Sequence, residues 1–315
     1  MRIVMLDAKT LGNDIGFDEL DALGELTVYG STAPDEVEER IADADVVVLN
    51  KIKLNGTNLK NAKNLKLICV TATGYDNIDT EYCKSRGIAV CNVVGYSTDS
   101  VAQLTVALAL ELAMRMPTYT RFVKNGAYTE SGIANRLEPC FYELSGKVWG
   151  IVGMGNIGKK VAEVAKAFGC RVICTKRSYE EGLDIVELPE LMKEADIISV
   201  HLPLSDSTRG IISKDMLALM KKDAIIVNVA RGAVVDESAL ADAVREERIY
   251  AASDVYSVEP FGKDHPFYDI MDRENFVLTP HMAWGAYEAR KRVISEIAIN
   301  ITAFYSGEIR NRVDK

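Results

Sequence analysis

The chain has 315 residues, 48% hydrophobic and 26% charged, with a formal net charge of −9. That length suffices for a large core and predicts two domains. The acidic balance and the absence of any long basic run exclude a nucleic-acid or membrane patch and point to small-molecule chemistry. The six cysteines (69, 83, 91, 140, 170 and 174) form no C-x-x-C pair, so they argue against a metal and for buried thiols in a reducing cytosol.

Residues 3–6 form a short apolar strand with no signal-peptide core, and a cytoplasmic location is expected. Further strands are predicted at Val46–Leu49, 65–70 and 88–91, with helical patterns such as 34–41 between them. Alternating units of this kind predict an α/β fold, a doubly wound parallel sheet with helices on both faces and ligands at the carboxyl ends of the strands. The strand at 65–70 runs into Thr71-Ala72-Thr73-Gly74-Tyr75-Asp76-Asn77, whose backbone N–H groups suit a small anion; a plain loop is the alternative.

Ser100-Val101-Ala102-Gln103 has capping-box form. It opens a long helix with Val101, Leu104, Leu108 and Leu112 on one face, stopped by Pro117 and able to bridge two domains. Gln103, Thr105, Glu111 and Arg115 interrupt this stretch, so it does not span a bilayer. The polar, aromatic-dotted connection at 117–144 is long for a loop and is expected to pack on something, such as a second subunit.

The strand Val148–Val152 leads into Gly153-Met154-Gly155-Asn156-Ile157-Gly158, a G-x-G-x-x-G turn. An amphipathic helix follows, with Ile157, Val161, Val164, Ala165 and Phe168 on one face and Gly169 at its end. A glycine turn between a strand and such a helix is the dinucleotide fingerprint: Gly153 allows the turn, Gly155 admits the pyrophosphate and Gly158 lets helix and strand pack. The N–H groups and dipole of the helix start favour the anion.

In an NAD site, a carboxylate about twenty residues past the glycines takes the ribose hydroxyls. Here the next strand, Arg171–Thr175, ends in Thr175-Lys176-Arg177-Ser178, and no acid occurs before Glu180. Two cations and hydroxyls would bind a 2′-phosphate, each charge-assisted hydrogen bond contributing about 1.5–3 kcal/mol, or roughly 10- to 100-fold. NADP(H) is therefore favoured, with NAD(H) possible; a solvated basic turn that tolerates both is the alternative.

Later strands are predicted at Ile197–Val200, 224–228, 251–255 and Phe276–Leu278, with Asp236 capping a helix after the second of these. Hydride transfer to a carbonyl needs a proton donor near neutral pH and a cation for an anionic substrate. Arg231, after a strand, suits the cation; a surface salt bridge is its alternative. Of the three histidines, His265 lies in a polar loop expected at the surface. His201 and His281 both end strands, and position alone does not separate them or exclude packing roles.

These residues also resemble a known family. Thr73-Gly74-Tyr75-Asp76-Asn77-Ile78-Asp79, the glycine turn, Val200-His201-Leu202-Pro203-Leu204, Val229-Ala230-Arg231-Gly232, Asp254-Val255-Tyr256-Ser257-Val258-Glu259-Pro260 and Thr279-Pro280-His281 occur in the order and spacing of the D-isomer-specific 2-hydroxyacid dehydrogenases. The ending His281-Met282-Ala283-Trp284, with Gly95-Tyr96-Ser97-Thr98 upstream, is most similar to the glycerate dehydrogenase and hydroxypyruvate (glyoxylate) reductase branch.

The resemblance implies a flavodoxin-like substrate domain of residues 1–98 and 285–315, and a Rossmann cofactor domain of 99–284, with a cleft between. It implies His281 as acid/base, Glu259 as its partner and Arg231 as the holder of the substrate carboxylate. Thr73 and Gly74 would take the other end of that carboxylate, and Trp284 would wall the pocket. The cofactor would contact Gly153, Gly155, Asn156, Ile157, Gly158, Thr175, Lys176, Arg177, Ser178, Leu202, Pro203, Val229 and Ala230, with Asp254 at the nicotinamide carboxamide. His201 would fall to a structural or adenosine-side role. The implied activity is reduction of hydroxypyruvate or glyoxylate by NAD(P)H, in a homodimer. A D-lactate or other D-2-hydroxyacid dehydrogenase, and more remotely a dinucleotide-sensing corepressor-type scaffold, are the other implied functions.

Overall fold

Strands made of branched apolar residues and buried on both faces set the architecture. In chain order the elements begin with β1 (Arg2–Met5), α1 (Asp18–Asp21), β2 (Glu25–Val28), α2 (Val37–Ile41), β3 (Val46–Leu49), α3 (Gly56–Leu59), β4 (Leu67–Val70), α4 (Thr80–Ser85) and β5 (Ala89–Cys91). They continue with α5 (Thr98–Ala113), α6 (Met116–Lys124), α7 (Ala127–Ser131), β6 (Val148–Val152), α8 (Asn156–Ala167), β7 (Arg171–Thr175), α9 (Leu188–Glu194) and β8 (Ile197–Val200). The chain ends with α10 (Lys214–Leu219), β9 (Ile225–Asn228), α11 (Glu237–Arg245), β10 (Tyr250–Ser253), β11 (Phe276–Leu278) and α12 (Tyr287–Tyr305). The computed structural model describes residues 1–315, which divide into two units, Met1–Ser97 with Gly285–Lys315 and Thr98–Trp284.

The first unit is a parallel sheet ordered β2-β1-β3-β4-β5. All four residues of β3 and of β4 are buried, as a sheet covered by helices on both sides requires. The strand β2 gave no sequence signal because it is an edge strand with a largely exposed pattern, Glu25-Leu26-Thr27-Val28. The chain end returns to this unit: Val313 N donates to Val90 O at 2.9 Å and Asp314 Oδ1 accepts from Val90 N at 2.9 Å.

The second unit is a parallel sheet ordered β11-β10-β9-β8-β6-β7. The chain leaves β6 for β7 on one side and returns to β8 on the other, so the crevice for a ligand lies at the carboxyl ends of β6 and β8. Buried Val161, Ala162 and Ala165 of α8 pack in one cluster with Leu108, Ala109 and Leu112 of α5. Phe168, expected on that face, is 42% exposed, because the helix ends at Ala167 and Gly169 turns the chain at φ +82°.

Three other expectations change. The helix α5 begins at Thr98, so Ser100 lies inside it and makes no capping box; its hydroxyl instead donates to Ala283 O at 2.5 Å. Pro117 does not stop α5, which ends ahead of Arg115 in the left-handed region (φ 54°). Pro117 sits in the first turn of α6, where its missing N–H is harmless. The connection 117–144 is partly helical, in α6 and α7, and carries exposed Val123, Ile133, Leu137 and Tyr142. No helix is long and apolar enough to cross a membrane.

Candidate active site

The glycine turn is pinned from both sides. Gly153 has φ +99°, and a Cβ on it would lie 2.9 Å from Leu202 Cδ2 and 3.1 Å from the His201 backbone. Gly153 N donates to Thr175 Oγ1 at 3.2 Å and Met154 N to Thr175 O at 3.3 Å, which ties the turn to the end of β7. A Cβ on Gly158 would meet Gly153 O at 2.6 Å, whereas one on Gly155 would meet nothing. That open space fronts the start of α8, which has no side-chain cap, so its first N–H groups stay available to an anion. The cradle therefore fits a dinucleotide pyrophosphate. Behind it the His201 imidazole is buried with both ring nitrogens unpartnered, and burial pushes its pKa down to about 3.

The basic end of β7 is more organised than its sequence suggests. Glu180 folds back to pair with Lys176 and with Lys159 Nζ, the latter at 2.6 Å, and these cations hold its carboxyl down at about 2. Arg177 Nη2 donates to Ser207 Oγ at 3.2 Å. The acid absent from positions 175–179 is thus supplied from one turn later, as a counter-ion.

Arg231 follows β9. Asn228, the last residue of β9, closes the turn by donating from Nδ2 to Arg231 O at 3.0 Å and accepting from Ala230 N at 3.1 Å. Arg231 Nη1 donates to Ala230 O at 2.8 Å. The next residue must be glycine, because a Cβ on Gly232 would lie 2.0 Å from the Tyr256 carbonyl carbon and 2.2 Å from Ser257 N. This contact brings the turn after β9 against the loop after β10.

That loop carries Glu259. Its Oε1 accepts from Tyr256 N at 3.0 Å and its Oε2 lies 2.6 Å from His281 Nδ1. His281 has φ 51°, a strained value for a side-chain-bearing residue, and its own loop is braced by Asp254. The Asp254 carboxylate is fully buried. It accepts from Thr279 Oγ1 at 2.6 Å, Met282 N at 2.9 Å and Ala283 N at 2.9 Å, and burial still pushes its pKa up. Its oxygens thus hold the His281 segment with three of a carboxylate's roughly four lone pairs. Trp284 Nε1 donates to His281 O at 3.0 Å, and Tyr256 Oη donates to Thr279 O at 2.8 Å. Sequence reasoning missed the bracing by Asp254 and Tyr256, since neither partner is local.

The second unit brings together Arg231, Glu259, His281 and Trp284. Thr73 and Gly74 belong to the first, in the loop after β4. There Thr73 Oγ1 donates to Val93 O at 2.8 Å and Asn92 Nδ2 donates to Thr73 O at 2.7 Å, while the Thr73 and Gly74 N–H groups meet no acceptor within the protein. His265, expected at the surface, is instead buried: its side chain is 6% exposed and enclosed by Tyr256, Phe261 and Phe267.

Residues 106–283 match the family model described as D-isomer specific 2-hydroxyacid dehydrogenase, NAD binding domain. The chain is 35% identical to a hydroxypyruvate reductase of Blautia hydrogenotrophica over 100% of both chains. It is 33% identical to a glycerate dehydrogenase of Methylorubrum extorquens over 99% of each. Its fold matches that of an acyclic imino acid reductase in complex with NADPH and D-Arg, with a TM-score of 0.88 and 29% identity over 99% of this chain and 100% of that one.

Proposed function

Because the chain belongs to the D-isomer-specific 2-hydroxyacid dehydrogenases, an oxidoreductase family, we propose that it reduces hydroxypyruvate or glyoxylate to the D-2-hydroxy acid, with NADPH preferred over NADH. The observation that carries this reading is the 2.6 Å Glu259–His281 pair beside the Arg231 turn.

A bound nicotinamide dinucleotide supplies the hydride. The protein supplies the proton and the charge. With Nδ1 of His281 engaged by Glu259, Nε2 is the nitrogen that delivers a proton to the substrate oxygen, and the Glu259 carboxylate stabilises the imidazolium before transfer. The Arg231 guanidinium holds the substrate carboxylate and polarises the keto group. The unclaimed N–H groups of Thr73 and Gly74 suit a carboxylate oxygen, and Trp284 bounds the pocket. Gly153 to Gly158 cradle the pyrophosphate, and Leu202, Pro203, Val229 and Ala230 contact the cofactor. Thr175, Lys176, Arg177 and Ser178 favour a 2′-phosphate, which would take over the cations that Glu180 pairs in its absence.

The chain acts as a homodimer in this reading. Met114, Met116, Val123, Leu137 and Phe141 leave apolar surface exposed after α5, and a groove of about 840 Å³ is lined by Leu110, Met114, Met116 and Pro117. Its six cysteines are free thiols, five of them buried, in keeping with a cytoplasmic enzyme. A panel of 2-keto acids run with both reduced cofactors tests the activity. If none oxidised NADPH or NADH above background, the enzyme reading would fail.

A further inference from the structure

The glutamate–histidine pair at the reacting end of the site has a counterpart behind it. Two consecutive backbone N–H groups, of Tyr256 and Ser257, are captured by two different glutamates. Tyr256 N donates to Glu259 Oε1 at 3.0 Å and Ser257 N donates to Glu237 Oε1 at 2.9 Å. Each glutamate then turns its second oxygen to a histidine: Glu259 Oε2 to His281 Nδ1 at 2.6 Å, and Glu237 Oε2 to His265 Nε2 at 3.1 Å. The first pair is partly exposed, its histidine and glutamate side chains 23% and 30% accessible, while in the second they are 6% and 9% accessible.

The tautomer of His265 follows from its partners. Phe267 N donates to Nδ1 at 3.2 Å, so Nδ1 carries the lone pair and Nε2 carries the proton given to Glu237. Both ring nitrogens and both Glu237 oxygens are thereby satisfied, in a site walled by Phe261 and Phe267 with ring centroids 4.9 Å from the imidazole. A fully satisfied buried network holds one geometry, whereas a half-satisfied one does not. Glu237 is the first residue of α11, and its N-cap Asp236 accepts from Ala239 N at 3.0 Å, so the anchor stands on a rigid element.

We infer that Glu237 and His265 are positioning residues for the proposed reaction: they clamp the Tyr256–Ser257 peptide from behind and so fix where Glu259 meets His281. This inference rests on the roles proposed for Glu259 and His281. Neither Glu237 nor His265 touches substrate, and their effect passes through Tyr256, whose own N–H Glu259 takes and whose following peptide N–H, on Ser257, Glu237 takes.

The test begins with Glu237→Gln. The amide oxygen still accepts from Ser257 N, but its NH2 then faces the Nε2–H of His265, and Nδ1 cannot take that proton without opposing Phe267 N. The clamp is expected to loosen while the fold survives. The expected result is a kcat at least tenfold lower, an unchanged KM for the reduced cofactor and a larger solvent deuterium isotope effect on kcat, as proton transfer becomes limiting. His265→Gln, which keeps an N–H donor near the Nε2 position, is expected to stay within about threefold of the parent kcat, whereas His265→Asn falls with Glu237→Gln. A merely structural pair would lower Tm and leave kcat and the isotope effect of the folded variants unchanged, and that result overturns the inference. His281→Gln run alongside separates the two readings: parent-like turnover there removes the proposed function itself, whereas its loss beside a parent-like Glu237→Gln removes only the clamp. Folding of the variants is not needed for one further check. With three histidines in the chain, 15N-histidine NMR of the unmodified protein must find His265 as the neutral Nε2–H tautomer, and an Nδ1–H tautomer would rule the clamp out.

Discussion

Gly232 lies against Tyr256 so closely that a Cβ on it would stand 2.0 Å from the Tyr256 carbonyl carbon. Through this contact the turn that carries Arg231 registers on the loop that carries Glu259. Gly232→Ala is expected to push the two apart. Overpacking of this kind destabilises by about 1–3 kcal/mol, and a displacement near 1 Å at a reacting group lowers the rate by roughly 10²-fold. Thermal unfolding and kcat/KM measured together check this, and a variant with the parent's kcat/KM would mean that the contact does not set the site's geometry.

His281→Gln is expected to lower kcat by about 10²- to 10⁴-fold, the usual share of a positioned acid. Glu259→Gln is expected to do less harm, since its one amide oxygen can still accept from either Tyr256 N or the imidazole, although the charge and the second acceptor are lost. Pre-steady-state oxidation of the reduced cofactor reads both directly. A larger loss from Glu259→Gln than from His281→Gln would reverse the assignment of the acid.

The basic turn gives a prediction with two opposite signs. Neutralising Lys176 and Arg177 is expected to weaken NADPH binding by roughly 10- to 100-fold per lost contact and NADH binding little. Glu180→Gln should move the other way, tightening NADPH severalfold, because it releases Lys159 and Lys176 from their counter-ion. The Glu180 carboxyl, held down at about 2, is ionised at every pH where the enzyme would be assayed, so the effect should not vary with pH. Nicotinamide fluorescence titrations give both dissociation constants, and equal shifts for NADPH and NADH would remove the 2′-phosphate role.

His201 makes stability depend on pH. In the folded chain burial lowers its pKa from 6.5 to about 3, so between those values the unfolded chain binds a proton that the folded chain refuses. Stability contributed by the neutral imidazole is therefore present above about pH 6.5 and is lost as the pH falls, at up to about 1.4 kcal/mol per unit. His201→Asn is expected to flatten the decline in Tm between pH 7 and pH 4.5 relative to the parent. Parallel curves would show that another group drives it.

What the sequence determined alone was whatever local pattern dictates. Runs such as Val46-Val47-Val48-Leu49 and Ile197-Ile198-Ser199-Val200 are strands because four successive buried residues need a covered parallel sheet, and they were legible residue for residue. The glycine turn was legible because only glycine fits at φ +99° against His201 and Leu202. Asp236 was readable as a cap from its place ahead of the α11 pattern. The edge strand β2 and the start of α5 were not, since an exposed strand has no apolar run and Ser100 found a partner 183 residues away.

Tertiary structure alone decided which polar side chains are partners. Nothing in the sequence joins Glu180 to Lys159, Glu237 to His265, or Asp254 to the Thr279 hydroxyl and the Met282 and Ala283 amides. It also separated His201 from His281, which position had left alike, and moved His265 from its expected place at the surface into the interior. His281 gained a carboxylate at 2.6 Å and solvent access, His265 a buried glutamate, and His201 no partner at all. The physical reason is one of range. Backbone conformation is set within a few residues, whereas the state of a titratable group depends on burial and on charges brought to it across the sheet, and those exist only once the chain has folded.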